Sequence, residues 1–370
     1  MVLPPARTAP TAPSPPTAEN GLAYPGLARL AGRMPAKTVR AERLDFHDAD
    51  AVDACYQVYL AAQRADDPAG SWMSPATFRG WLTVGWSGDP REVWTARDGD
   101  EVTGWYRLET PERENRTRAG LDLVVHPARR RRGTGGALLR HATERAAARG
   151  RTQLDCSAWV GSAGEALARS AGASPSLTDV RRVQELADLP PDRVAKLREQ
   201  AAKAAAGYSL TSWDGPVPGP YLEDMAKLME AMADAPHSPG TERRRWDAER
   251  VRTDLNAIFP ELGNRAWTIV ARHDATGALA ALTQVWLDPD VADWAFQGLT
   301  VVVREHRGHR LGLLVKTAML EHLARAEPGL KRLETWNAGS NAHMIAVNDA
   351  LGYRVVGPPL TRWRLDLTAR

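Results

Sequence analysis

The chain has 370 residues, of which 43% are hydrophobic and 25% charged, and its formal net charge is only +3. This length predicts two domains of ordinary size, and so small a charge argues against a dedicated nucleic-acid-binding protein. Cys55 and Cys156 form neither a metal-binding spacing nor a disulfide framework, and no apolar run approaches the ~20 residues that span a bilayer. We therefore expect no metal site, no membrane partner and a cytoplasmic location.

The beginning of the chain differs in composition from the rest. Residues 1–36 are rich in Pro, Ala and Thr and contain few large apolar side chains. Such a segment buries too little surface to offset the entropy lost on ordering, which predicts a disordered tail. A first unit is predicted over residues 37–186. It opens with a short strand, VRAERL, and a helix that has Asp48 and Asp50 at its start, where the helix dipole favours acidic residues.

Four aromatic residues follow that helix, and a hairpin comes after them. The segment SWMSPATFRGWLTVGW carries Trp72, Phe78, Trp81 and Trp86. They could shape a substrate site, but packing in the core or between domains is the favoured interpretation. Two alternating segments joined by Asp-Gly-Asp at residues 98–100 then predict a β-hairpin.

A strand, a basic turn and an apolar helix meet at residues 125–139, VHPARRRRGTGGALL. Arg130, Gly133 and Gly135 form an R-x-x-G-x-G arrangement, and glycine lets the backbone turn sharply and approach a ligand closely. The helix that begins here leaves its first N–H groups unpaired and points the positive end of its dipole at the turn, which favours phosphate. This first turn, residues 130–135, therefore predicts a site for a cofactor that carries a pyrophosphate.

The second half of the chain repeats this order. Residues 187–207 are predicted as a linker helix and residues 208–370 as a second unit, in which a helical region is expected over ERRRWDAERVRTDLNAIF. The segment LTVVVREHRGHRLGLL again predicts strand, basic turn and helix. In this second turn, residues 307–312, Arg307 and Gly312 keep two key positions, whereas Arg310 replaces the first glycine. Such an internal repeat indicates a duplicated fold.

Both turns carry a resemblance to a known family. The first resembles the acetyl-CoA pyrophosphate loop of the GNAT superfamily of N-acetyltransferases, whose signature is Q/R-x-x-G-x-G/A. The segment ETWNAGSNAHMIAVNDALGYRVVG, which begins at Glu334, resembles the strand 5, helix 4 and strand 6 segment of the same family. From about residue 38 to 368 the chain is similar to a tandem GNAT protein. The resemblance implies an α/β (mixed α+β) fold with two GNAT-like units, each a mixed central sheet flanked by helices.

The resemblance also implies acetyl-CoA as the cofactor. Its expected contacts are the two turns, the ends of the strands before them and the asparagines of the second unit. The predicted cofactor-binding residues are Val125, Arg130, Arg131, Arg132, Gly133, Thr134, Gly135, Gly136, Val302, Arg307, Gly308, His309, Arg310, Leu311, Gly312, Asn337, Asn341 and Asn348. The sequence leaves open which unit works, because the first keeps both glycines and the second keeps the asparagines.

The acid and the base of the reaction are less apparent. An amine with a pKa near ~10 must lose a proton before it attacks a thioester. Many GNAT enzymes have a tyrosine four residues before a Gly-Phe pair, but Ala168 and Asn348 occupy those positions here. Asp122 and Glu334, on strands beside the two turns, are the candidate catalytic bases, although each could equally be an ordinary strand-end carboxylate.

The function expected from the resemblance is acetyl transfer from acetyl-CoA to the amine of a small molecule or peptide, by direct attack in a ternary complex. The alternative is a non-catalytic acyl-CoA-binding sensor or scaffold, because neither unit keeps the family tyrosine. Nucleic acid is not an expected partner. The oligomeric state and the acceptor stay open.

Overall fold

A computed structural model describes residues 40–85 and 88–368. The tail predicted over residues 1–36 and the side chain of Trp86 lie outside these ranges. The strands of the first unit are β1 (Ala41–Arg43), β2 (Arg91–Asp98), β3 (Glu101–Glu109), β4 (Arg118–Val125), β5 (Gln153–Trp159) and β6 (Ser174–Glu185). Its helices are α1 (Ala49–Asp66), α2 (Pro75–Thr83), α3 (Thr134–Ala148) and α4 (Ala163–Ser170).

Helix α5 (Pro191–Ala204) lies in the segment predicted as a linker and leads into the second unit. The strands of that unit are β7 (Tyr208–Asp214), β8 (Arg265–His273), β9 (Leu279–Leu287), β10 (Trp294–Val302), β11 (Arg332–Ala338), β12 (Arg354–Val355) and β13 (Leu360–Asp366). Its helices are α6 (Leu222–Ala231), α7 (a turn Ala248–Arg250, a π-helical stretch Val251–Leu255 and Asn256–Leu262), α8 (Leu311–Ala326) and α9 (Ala342–Ala350). Among the described residues, no helix has both the length and the apolar character needed to cross a lipid bilayer.

The two units share one mixed sheet and exchange strands at its centre. The strand order is β1-β2-β3-β4-β5-β13-β6-β11-β10-β9-β8-β7, and β12 pairs with β6. The last strand of the second unit therefore lies between the last two strands of the first, while β6 of the first unit pairs with β11 of the second. Separating the units at the linker would leave unpaired strand edges on both sides.

Each unit contains one parallel strand pair that separates part way along. Strands β4 and β5 pair from Arg118 opposite Gln153 to Leu121 opposite Cys156, and strands β10 and β11 pair until Phe296 lies opposite Glu334. Beyond these points each strand follows a different neighbour. We call the opening between β4 and β5 the first cleft and the opening between β10 and β11 the second cleft.

The strand that enters the turn differs between the units. In the second unit the pairing of β10 with β9 shifts between Gln297 and Thr300, so that Gly298 and Leu299 form a β-bulge. In the first unit β3 and β4 pair without interruption from Gly104 opposite Val125 to Glu109 opposite Gly120. A bulge releases backbone groups from the ladder, and of these two strand pairs it is β9 and β10 that have one.

The aromatic segment of the first unit packs as predicted for two of its members. Phe78 and Trp81 are buried in a cluster that includes Leu262 of the second unit, whereas Trp72 is exposed. Helix α2 approaches α7 so closely that a Cβ at Gly80 would collide with the backbone at Glu261. The interface between the units is therefore a packed core, held together by apolar burial.

One helix of the second unit begins later than predicted. The sequence predicted helix from Glu242, but α7 begins at Ala248, because the preceding residues are bonded to the first unit instead. The backbone N–H of Glu242 donates to Asn115 Oδ1 (2.9 Å), and Asn115 returns a bond from its own N–H to Glu242 Oε2 (2.8 Å). Asp247 then caps the helix by accepting from the N–H of Arg250 (2.7 Å). These tertiary hydrogen bonds override the helix propensity of ERRRW.

Candidate functional site

The two basic turns have the same backbone conformation but interchanged residues. In the first turn Arg131 and Gly133 have positive φ angles of 62° and 91°, and in the second turn Gly308 and Arg310 have positive φ angles of 90° and 53°. Each turn thus has two left-handed positions, one filled by glycine and one by arginine. An arginine in this conformation costs about 1 kcal/mol more than glycine, and both turns contain one. The replacement at Arg310 therefore does not alter the path of the turn.

Both helices that follow the turns begin without a side-chain cap. Neither Gly133 before α3 nor Arg310 before α8 makes a capping bond through a side chain, so the first N–H groups of each helix keep no partner within it. A Cβ added at Gly133, Gly136 or Gly308 would meet no atom within 4 Å. Open space, unpaired donors and the positive end of a helix dipole together fit the diphosphate of coenzyme A.

The first arginine of each turn braces the turn rather than extending freely. Arg130 donates from Nε to the carbonyl of Val125 (3.2 Å) and forms a bidentate pair with Asp66 (2.6 and 2.7 Å) at the end of α1. Arg307 makes the same two kinds of contact, to the carbonyl of Val302 (3.3 Å) and to Asp234 (2.8 Å). These interactions hold each turn against the end of the strand before it.

Further arginines at the turns are exposed to solvent. Arg131, Arg132 and Arg310 are exposed, and so is His309. Their predicted contacts with the cofactor, like those of Arg130 and Arg307, stay predictions. The structure places all of them around the open starts of α3 and α8.

Asp122 lies at the first cleft, one residue beyond the last parallel pair. Its side chain is 44% exposed and accepts two hydrogen bonds from Arg107, at 3.0 Å from Nε and 2.8 Å from Nη2. Arg107 is itself buried and stacks over the ring of Trp81 (4.1 Å to the ring centroid). The ion pair with Arg107 fixes the carboxylate of Asp122 against β3.

Glu334 lies at the second cleft, in the last parallel pair of β10 and β11. It is 6% exposed and accepts hydrogen bonds from Trp336 Nε1 (2.8 Å) and Ser71 Oγ (3.2 Å). The guanidinium of Arg181 lies 4.0 Å from its Oε2. Burial raises the pKa of Glu334, and Arg181 opposes this shift without cancelling it. Of the two predicted bases, Glu334 is therefore the more buried, and its nearest arginine lies 4.0 Å away, whereas Asp122 has a close ion pair.

Arg181 is bound mainly by another carboxylate. Its two terminal nitrogens pair with Asp67 at 2.5 and 2.6 Å, and both side chains are 1% exposed. The rings of Trp159 and Trp336 contact each other, with centroids 5.5 Å apart, and lie 6.0 and 5.8 Å from the guanidinium. This cluster brings residues of β5, β6, β11 and the segment after α1 together beside the second cleft.

The asparagines of the second unit have two different environments. Asn341 caps α9 by accepting from the N–H of Met344 (3.3 Å). Asn348 is fully buried and donates to Asn337 Oδ1 (2.7 Å), whereas its own Oδ1 is buried without a hydrogen-bond partner among the described residues. An unpartnered buried acceptor is costly unless a ligand supplies the missing donor.

The position after the asparagines is part of the core. Tyr353 is 4% exposed, burial raises the pKa of its hydroxyl, and that hydroxyl has no partner within the described ranges. The amine of Lys316 lies 4.8 Å from the centroid of the Tyr353 ring. Burial lowers the pKa of this lysine to about 7. Ala168, the corresponding position for the family tyrosine in the first unit, is buried.

Lys316, Asp67, Ser71 and Arg181 are among the cluster residues that the sequence did not predict. Lys316 could have been noticed as one charged residue within the apolar run LGLLVKTAML. Asp67, Ser71 and Arg181 gave no such signal, because polar residues on strands and loops are normally exposed.

A comparison with family models matches residues 89–170 to the model described as an acetyltransferase (GNAT) domain. Among solved structures, a tandem GNAT protein from the clavulanic acid biosynthesis pathway is similar, with 30% identity and a TM-score of 0.72. The match covers 89% of this chain and 98% of that protein. None of the curated proteins compared matches the chain.

A second solved structure is similar at the level of the fold. The GCN5-related N-acetyltransferase from Sphaerobacter thermophilus is 17% identical, with a TM-score of 0.60, over 90% of this chain and 97% of the other. Both structural matches extend across the two units, whereas the family model covers part of the first.

Proposed function

We propose a function from the premise that this chain belongs to the GNAT superfamily of acetyltransferases as a tandem member. The function is transfer of an acetyl group from acetyl-CoA to the amine of a small molecule or peptide. The similar tandem protein belongs to the biosynthetic pathway of a small natural product, which supports an acceptor of this size. We assign the chemical step to the second cleft.

The observation that carries this assignment is a buried carboxylate beside a bulged strand. Glu334 lies where β10 and β11 separate, and Gly298 and Leu299 are released from the regular ladder next to it. Thr335 Oγ1 donates to the carbonyl of Gln297 (3.0 Å) and fixes the two strands at this point. The first cleft has neither feature, because Asp122 is paired with Arg107 and β4 is regular.

Acetyl-CoA, when bound, would supply a thioester: the amine nitrogen would bond to the carbonyl carbon as the carbon–sulfur bond breaks, and the proton lost by the amine would balance the one gained by the departing thiolate. Glu334 accepts the proton that the amine must lose, since its environment favours the protonated form more than an exposed carboxylate would. The backbone N–H groups freed at the bulge are the donors that stabilise negative charge on the carbonyl oxygen. The second turn holds the diphosphate.

The second unit has no proton donor at the position of the family tyrosine. Asn348 occupies its position, but it is fully buried and donates to Asn337. An amide does not exchange protons near neutral pH, so Asn348 does not act as an acid.

The experiment is thiol release from acetyl-CoA with a panel of amines, together with mass spectrometry of the product. We expect an acetylated amine and one thiol released for each amine modified. Binding of acetyl-CoA by calorimetry without turnover of any amine would contradict the proposal and would favour the non-catalytic sensor.

A further inference from the structure

The segment that joins α1 to α2 lies against the second cleft, although it belongs to the first unit. We propose that two residues of this segment, Ser71 directly and Asp67 through Arg181, are positioning residues that hold Glu334 of the second unit in its working orientation. The second cleft is then a site shared by both units. This inference rests on the proposed role of Glu334 as the base.

Ser71 makes the direct contact. Its hydroxyl donates to Glu334 Oε2 (3.2 Å), while Trp336 donates to the other oxygen, Oε1 (2.8 Å). The two donors come from different units and approach the two oxygens separately, so together they fix the plane of the carboxylate. A general base must be held in one orientation to receive a proton efficiently.

Asp67 acts on Glu334 indirectly, because it holds Arg181 in place. The bidentate pair between them is almost completely buried, and two glycines pack directly against it. A Cβ at Gly70 or at Gly357 would collide with the guanidinium of Arg181, which explains the absence of a side chain at both positions. Because Asp67 occupies both terminal nitrogens of Arg181, the guanidinium stays 4.0 Å from Glu334 and does not form a close ion pair with it.

Within the described part of the chain, three titratable or charged groups act on or face Glu334, and they lie on two neighbouring parts of the fold. Arg181 lies on β6, Asp67 follows α1, and Tyr59 lies on α1 itself. The hydrogen bond from Ser71 and the charge of Arg181 lower the pKa of Glu334, whereas burial and the charge of Asp67 raise it. Tyr59 is neutral in the working range, because burial raises its pKa to about 12. Ser71 and Asp67 thus have opposite effects on the same carboxyl.

Because the two effects are opposite, replacing Ser71 and replacing Asp67 should shift the pH dependence of the rate in opposite directions. The rate of acetyl transfer should rise with pH as Glu334 loses its proton. Ser71→Ala removes a bond to the charged form, so this acidic limb should move to higher pH by about 0.5–1 unit. Ser71→Thr keeps the hydroxyl and should restore the profile. Asp67→Asn removes a negative charge and frees Arg181 to approach Glu334, so the limb should move to lower pH.

The loop between α6 and α7 of the second unit, which contains Thr241, supplies a control. There Thr241 Oγ1 accepts from Arg118 (2.8 Å), another contact between the units, at the end of the β4–β5 pair away from the first cleft. Thr241→Ala should leave the acidic limb in place. An unchanged profile in Ser71→Ala, or the same displacement in Thr241→Ala, would overturn the inference. Should Asp67→Asn fail to fold, Ser71→Ala and Ser71→Thr decide the matter alone.

A second readout separates this inference from the proposed function. The infrared difference between the wild-type protein and Glu334→Gln isolates the carboxyl of Glu334, and its titration can be followed without any substrate. We expect the midpoint to rise in Ser71→Ala and to return in Ser71→Thr. If no amine is acetylated but the midpoint still moves, the proposed function fails and the contact stands. If the midpoint does not move in Ser71→Ala, the positioning role is refuted whatever the activity.

Discussion

The two units share a turn and differ in the cleft beside it. Both turns have two left-handed residues, an arginine that braces the strand end, and an uncapped helix start. The clefts have diverged: Asp122 is about half exposed and ion-paired, whereas Glu334 is buried beside a bulged strand. The backbone of the turn is kept when glycine and arginine exchange places between its two left-handed positions. The chemistry of a cleft, in contrast, depends on individual side chains.

The strongest test of this difference compares the two carboxylates. Glu334→Gln should lower kcat/KM for acetyl transfer by about 100- to 10,000-fold, the usual contribution of a general base. Asp122→Asn should change it by less than about threefold, since Asp122 is held by Arg107 outside the proposed site. Thiol release measured for both variants decides between the clefts. A large loss in Asp122→Asn with little effect of Glu334→Gln would move the chemistry to the first unit.

Two consecutive carboxylates at the end of α1 allow a comparison of stability. Asp67→Asn leaves the buried guanidinium of Arg181 without its countercharge and should lower the free energy of unfolding by about 3–5 kcal/mol. Asp66→Asn breaks a pair whose side chains are about 20% exposed and should cost less than about 1 kcal/mol. Urea denaturation measures both. Equal losses would mean that burial does not distinguish the two pairs.

A buried lysine distinguishes the helices that follow the two turns. Lys316 lies four residues after Gly312, and the same position after Gly135 is the apolar Leu139. Because burial lowers the pKa of Lys316 from 10.5 to about 7, the unfolded chain binds more protons between these pH values. The free energy of unfolding should therefore rise with pH across this window.

Replacing that lysine should remove its share of the pH dependence. Lys316→Met should be more stable than the wild-type protein at pH 7, by on the order of 2–4 kcal/mol, and the difference should shrink towards pH 10. Thermal unfolding of both proteins at several pH values checks this. A stability difference that does not vary with pH would contradict the lowered pKa.

The smallest expected effect concerns binding of coenzyme A at the two turns. Gly135 and Gly312 occupy the same position in their turns, and a Cβ at either would make only ordinary contacts. Gly312→Glu places a negative charge beside the bound diphosphate and should weaken binding of coenzyme A to the second unit about tenfold, with loss of activity. Gly135→Glu should leave activity intact, and Gly135→Ala and Gly312→Ala serve as controls for folding. Calorimetric titration of each variant gives the affinities.

Local features of this protein were predictable from its sequence. The hairpin at residues 98–100, the helix that begins at Asp48 and Asp50, the turns after β4 and β10, and the burial of Phe78 and Trp81 were all predicted, and the structure confirms them. Each depends on a residue's own conformational preference or on contacts within a few positions. The late start of α7 was not predictable, because its cause is a set of hydrogen bonds to Asn115 in the other unit.

The sequence by itself determined the duplicated strand, turn and helix. The turn and the start of the helix depend on residues that are adjacent in the chain. The tertiary structure alone decided that the two units exchange strands, that Asp122 is ion-paired and that Glu334 is buried. Ser71 lies 263 positions from Glu334, and Asp67 lies 114 positions from Arg181. The environment of a carboxylate is set by whatever the fold brings against it, and those neighbours come from distant parts of the chain.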